Sequence, residues 1–124
     1  MVVIVDLGNV HDVLQQIGPY VKAGCVNKVW AYADRQFNGY GINPPHDVPN
    51  CTVWRAFNPH TNAADNMIVW DVASTCTHPG AQPCHFIVVT KDQGFHSIKE
   101  LAEETGMHKL DFANSWEELR NLIE

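Results

Sequence analysis

Three aspartates stand where a carboxylate could do chemistry. Asp6 directly follows the apolar run Val2-Val3-Ile4-Val5, and Asp92 stands two residues past Phe86-Ile87-Val88-Val89-Thr90. Asp65 lies near the start of an apolar stretch with helical spacing, and Asp71 follows it by six residues. Carboxylates crowded together repel one another unless a positive charge lies between them. A divalent cation is the usual remedy, and a ligand set made only of oxygens favours Mg²⁺ or Mn²⁺. Each aspartate also has a plainer use. An Asp after a strand often forms a turn or caps a helix, and Asp65 could complement a helix N-terminus. The question is whether the chain carries the three to one place.

The elements that must position them follow from the apolar pattern. Residues 2–5, 28–33, 52–57, 85–90 and 109–112 are short, apolar and rich in β-branched or aromatic side chains, and are predicted as strands. The first and fourth are apolar almost throughout, as in a parallel strand buried on both faces. Helical spacing falls on residues 10–16, 63–74, 95–105 and 115–123. Gly18-Pro19 ends or bends the first, and Asn62 is the expected cap of the second, whose core face carries Met67, Ile68, Val72 and Trp70. Gly106 is the expected stop of the third, and Ser115-Trp116-Glu117-Glu118 opens the fourth as a capping box. Residues 34–50, rich in Gly, Pro and Asn, replace the helix expected between strands two and three and are predicted to form a long surface loop.

This alternation predicts an α/β fold: a three-layer α/β/α sandwich around a central parallel five-stranded sheet of order 3-2-1-4-5, Rossmann-like in plan. In such sheets ligands bind beyond the carboxyl ends of the strands, where the strand order reverses. Here that point lies between strands one and four. Asp6 is expected as the first residue beyond its strand, with Asp92 two residues beyond its own and Asp65 in the first turn of a helix starting at the same edge. Asp71 lies about 9 Å further along that helix and is rotated away, so it takes a secondary role.

Composition sets the outer bounds. The 124 residues fit one domain over 1–124, with 45% hydrophobic and 18% charged residues. A formal net charge of −6 argues against a simple phosphate-coating module, although clustered carboxylates that hold cations raise the negative count themselves. The apolar opening meets Asp6 too soon for a signal sequence, and no run approaches a membrane span, so a cytoplasmic location is expected. Cys25, Cys51, Cys76 and Cys84 form no C-x-x-C pair. Cys76, His78, Cys84 and His85 have the ligand types for zinc, weighed against a plain loop with two thiols and two imidazoles. Neither GxxxxGK[ST] nor GxGxxG occurs, and no hydrolase nucleophile motif is present. A receiver-like phosphoryl switch on Asp6 would need an Asp after the third strand, where Asn58-Pro59-His60 stands instead.

Three separated blocks resemble PIN-like nucleases, specifically the NYN branch: Ile4-Val5-Asp6-Leu7-Gly8-Asn9-Val10-His11, Ala64-Asp65-Asn66-Met67-Ile68-Val69-Trp70-Asp71, and Phe86-Ile87-Val88-Val89-Thr90-Lys91-Asp92-Gln93-Gly94-Phe95. They resemble the family's strand-ending D-x-x-N-V, its helix with an Asp at the start and another six residues on, and its strand followed by S/T-x-D-x-D-F. The resemblance spans essentially the whole chain. It implies a metal-dependent endoribonuclease acting on single-stranded or structured RNA, with one or two Mg²⁺ or Mn²⁺ ions supporting in-line attack by water. Asp6, Asp65 and Asp92 would be the metal ligands. Asn9 would orient a ligand, water or phosphate, with Asp71, Asn66 and Lys91 in secondary roles. The chain departs from the pattern at Gly94, where the family usually carries a second acid, at Asn66, which replaces an acid of some members, and at Gly8.

The alternative is a catalytically degenerate PIN-like module that binds RNA or a protein partner without cutting, and Gly94 together with the net charge favours it. Basic residues expected near the site are Arg35, Arg55, Lys91 and Lys99. His11 and His96 could help transfer protons there, weighed against surface or packing histidines. Trp54 and Tyr40 could flank the loop over the site. So small an acidic domain is also a candidate for homodimerisation or for a partner's RNA-binding surface.

Overall fold

The computed structural model describes residues 1–8, 10, 12–33, 45–55, 63–80, 82–104 and 108–124, with the side chains of Gln93 and His96 outside the description. Five parallel strands, β1 (Val2–Asp6), β2 (Lys28–Ala33), β3 (Cys51–Arg55), β4 (His85–Val89) and β5 (Lys109–Ala113), form one sheet of order β3-β2-β1-β4-β5. That is the predicted order. The helices among the described residues are α1 (Val13–Gln16), α2 (Gly18–Lys22), α3 (Ala63–Thr77), α4 (His96–Glu104) and α5 (Trp116–Ile123), with a 3₁₀ turn at Gln93–Phe95.

The two-residue period of the strands divides the core into two layers. Val3, Val5, Val29, Ala31, Ile87 and Val89 face α1, α2 and α5 through Leu14, Ile17 and Leu119. Val2, Ile4, Tyr32, Phe86 and Val88 face α3 and α4 through Ile68, Val72, Ile98 and Ala102. β1 is buried at every position, as its unbroken apolar run requires.

Several elements differ from the sequence reading. Gly18-Pro19 does not only end a helix; Pro19 stands in the first turn of α2, where its missing N–H costs nothing. Gly18 is needed there because a Cβ would stand 2.6 Å from the backbone oxygen of Asp47. β1 runs one residue further than expected, so Asp6 is inside the strand and pairs in register with Tyr32. α3 extends three residues past the predicted end. Trp70, expected on the core face, is 73% exposed. That helix is apolar on nearly all sides, so periodicity could not select its buried stripe. The loop expected over 34–50 is described only at 45–50, where Val48 is buried. Asn9, His11, Arg35, Tyr40, the Asn62 cap, the Gly106 stop and the end of the predicted third strand lie outside the described residues.

The predicted N-cap at Ser115 is present, with the return bond of Glu118 shifted by one residue. Ser115 Oγ accepts from the Glu118 amide at 3.2 Å, while the Glu118 carboxylate reaches the Asn114 amide at 2.9 Å. Among the described residues no helix is long and apolar enough to cross a membrane.

Candidate functional site at the carboxyl edge of the sheet

Strand parity brings the first two residues together. Val2, Ile4 and Asp6 alternate onto the α3/α4 side of the sheet, as do Phe86 and Val88 of the adjacent β4, and Thr90, one residue past β4, puts its hydroxyl on Asp6. Asp6 is only 2% exposed and Thr90 5%. The Thr90 hydroxyl donates to Asp6 Oδ2 at 2.9 Å, and Thr90 Oγ1 accepts the backbone N–H of Asp92 at 3.1 Å. Asp92 Oδ1 in turn accepts the Gly94 amide at 2.8 Å, at the opening of the 3₁₀ turn. The Thr90 amide donates to the Ala113 carbonyl at 2.9 Å, which ties this corner to the end of β5. A buried carboxylate is tolerated when donors satisfy its oxygens, and the threonine supplies one of them.

Asp92 is exposed, and Asp65 is half-buried in the first turn of α3, which packs beside α4 and over β1 and β2. Asn66 and Lys91 are exposed. Asp71 is engaged elsewhere: its Oδ2 accepts the Tyr32 hydroxyl, which locks α3 to β2. Burial first, and then the hydrogen bond and charge of Asp71, push the Tyr32 phenol far above its ordinary pKa. Lys99 is not a site residue either. Its ammonium donates to the Leu110 carbonyl at 3.0 Å and lies near Glu103 and Asp111, towards the amino end of β5.

Among the described residues no three His, Cys, Asp or Glu side chains are grouped so as to hold a metal ion. Asp6, Asp65 and Asp92 therefore do not form a closed cage, and Cys76, His78, Cys84 and His85 do not form a zinc site. His85 instead pairs with Asp111 at 2.7 Å. All four cysteines are free thiols, with burial pushing Cys51 up to about 11. The donor set at the edge fits a looser arrangement. Mg²⁺ keeps several waters and is commonly held by one or two carboxylates. Asp6 and Asp92 offer oxygens alone, and Thr90 links the Asp6 carboxylate to the Asp92 backbone N–H.

A cleft of about 430 Å³ opens next to Asp92, lined among others by Thr90, Lys91, Phe112, Asn114 and Glu118. The sequence reading left Thr90, Asn114 and Glu118 out of the site. The signal was available: Ser115-x-x-Glu118 announces a helix start directly after β5, hence at this same edge. A larger cavity, of about 900 Å³, lies elsewhere, against β2 and β3. Compared with family models, curated proteins and solved structures, the chain matches none.

Proposed function

We propose that this chain is a cytoplasmic metal-dependent endoribonuclease of the PIN-like NYN type, hydrolysing RNA phosphodiester bonds at the β1/β4 crevice. The observation that carries the reading is the buried Asp6 carboxylate, held by Thr90 beside Asp92 where the strand order reverses. Asp6, Asp65 and Asp92 would be the residues that hold Mg²⁺ or Mn²⁺. When bound, the cation supplies Lewis acidity and neutralises charge on the phosphate. The protein's own contributions are to fix the orientation of Asp6 through Thr90, to keep Asp92 at the rim, and to offer the Lys91 ammonium to a phosphate oxygen. Asn9 takes the orienting role that the resemblance implies.

Cleavage of labelled single-stranded RNA with Mn²⁺ or Mg²⁺ tests this, with EDTA and Asp92→Asn as controls. The expected result is metal-dependent cutting that falls about 100-fold or more in the variant, at least the cost of losing an outer-shell partner. No cutting by folded protein with either metal refutes it.

A second reading, a module that binds RNA or a protein partner without cutting, is favoured by Gly94. Its amide takes the position beside Asp92 Oδ1, and a Cβ there would lie 3.2 Å from that oxygen. RNA binding without cleavage, unchanged by EDTA, would establish it.

A further inference from the structure

Helix α3 packs over β1 and β2. Against β2 and β3 lies a cavity of about 900 Å³, within the usual range for small-molecule sites. Its lining includes Trp30 and Trp54 from the sheet, Asp71 and Ser74 from α3, and Asn27 and Asn50 at the amino ends of β2 and β3. It is therefore distinct from the Asp6/Asp92 corner at the carboxyl ends, and the inference does not rest on nuclease activity.

We infer that this cavity binds a nucleobase, as a free nucleoside or as a base within a nucleic-acid strand. Trp30 and Trp54 are both half-buried, and their rings meet edge to face at 6.2 Å and 86°. A flat ring stacked on one indole meets the edge of the other, the two arrangements that aromatic rings prefer. Trp54 is itself held by stacking on Tyr32 at 5.0 Å and 17°, and Tyr32 is anchored by Asp71. The aromatic wall is thus preorganised rather than loose. Around it, the Asn27 and Asn50 amides both donate and accept, the Ser74 and Thr52 hydroxyls do the same, and Asp71 accepts. That complement suits the mixed donor and acceptor edge of a base. The lining has one ammonium, Lys28, one carboxylate, Asp71, and the His46 imidazole, a balance that suits a neutral heterocycle better than a polyphosphate.

The test is NMR titration of the full chain with adenosine, guanosine, cytidine and uridine, following the four indole N–H signals. A short single-stranded oligonucleotide, phenol and a monosaccharide form separate arms. Saturable shifts at Trp30 and Trp54 are expected at concentrations up to about 1 mM. Exposed Trp70 and Trp116, which packs against Tyr20 on the other face, should stay still. Trp54→Ala should weaken binding about tenfold or more, the worth of a base stack. Because that variant also loses the Tyr32 contact, Ser74→Arg, at an exposed position lining the cavity, is the second probe and should weaken binding comparably while the spectrum stays folded. Shifts from the oligonucleotide alone would assign the base to a strand. The inference is overturned if Trp30 and Trp54 do not move, if phenol or the monosaccharide moves them as strongly as nucleosides do, or if Ser74→Arg leaves the affinity unchanged.

Discussion

Thr90→Val is the sharpest probe of the acidic corner, because it keeps the shape of a side chain that is 5% exposed and removes only the hydroxyl. Two hydrogen bonds go with it: the donation to Asp6 Oδ2 at 2.9 Å and the acceptance from the Asp92 amide at 3.1 Å. A bond to a charged group is worth about 1.5–3 kcal/mol and one between neutral groups about 0.5–1.5 kcal/mol, which puts the expected loss at about 2–4.5 kcal/mol. That is a large share of the roughly 5–15 kcal/mol that holds a domain folded. Urea denaturation at neutral pH measures it, with Thr90→Ser, which keeps the hydroxyl, as the control. A double-mutant cycle with Asp6→Asn isolates the pair and should give a coupling of about 1.5–3 kcal/mol. A loss under about 0.5 kcal/mol for Thr90→Val, within the range of neutral surface changes, would refute the view that the threonine holds the buried carboxylate.

Three further outcomes follow from the packing. Tyr32→Phe should cost about 1 kcal/mol near neutrality by leaving Asp71 without the phenol donor, and the gap should narrow above about pH 10, where unfolded wild type sheds the phenol proton that the folded state retains; denaturant midpoints at the two pH values decide it. At Asp111 burial opposes ionisation, but the His85 hydrogen bond and the charges of Lys109, His85 and Lys99 outweigh it and hold the carboxyl below its ordinary pKa. The stability from this carboxylate is present above about pH 4 and lost as pH falls through the lower folded value, so the acid limb of a thermal-denaturation series should be shallower in Asp111→Asn. Gly18→Ala should destabilise by about 1–3 kcal/mol in urea, since its Cβ meets the Asp47 backbone oxygen at 2.6 Å and backbone cannot swing aside.

How far the sequence carried the fold depended on how strongly each segment was constrained. The runs at 2–5 and 86–89 are buried on both faces, and that leaves them no other reading than central parallel strands. From those two the sheet order follows, because right-handed crossovers prune the rest. α3 was legible as a helix but not in its orientation: apolar residues on nearly every side leave no contrast, and Trp70 went to solvent while Asp71 took the Tyr32 hydroxyl. Gly18-Pro19 was read as punctuation because the dipeptide breaks an existing helix and equally starts a new one. Only the approach of the Asp47 carbonyl, distant in sequence, distinguishes the two uses.

The Asp6–Thr90 contact was not read from the sequence because Asp6 was placed one residue beyond its strand, where the two-residue alternation was not carried. Counting by twos from Ile4 puts Asp6 on the α3/α4 side, and counting by twos from Val88 puts Thr90 beside it. The period that buries Ile4 and Val88 also aims a carboxylate and a hydroxyl at each other at the sheet's edge. Asp6 inside the strand, rather than one residue past it, is what forces this pairing. A carboxylate beyond the strand could turn to solvent, whereas one in register with Tyr32 must find its donors among its neighbours. The threonine two residues before Asp92 is one of the donors that the burial of Asp6 calls for, whatever the corner binds. Asp92 is exposed and tied to Asp6 only through its backbone N–H and that threonine, while its carboxylate accepts the Gly94 amide at 2.8 Å.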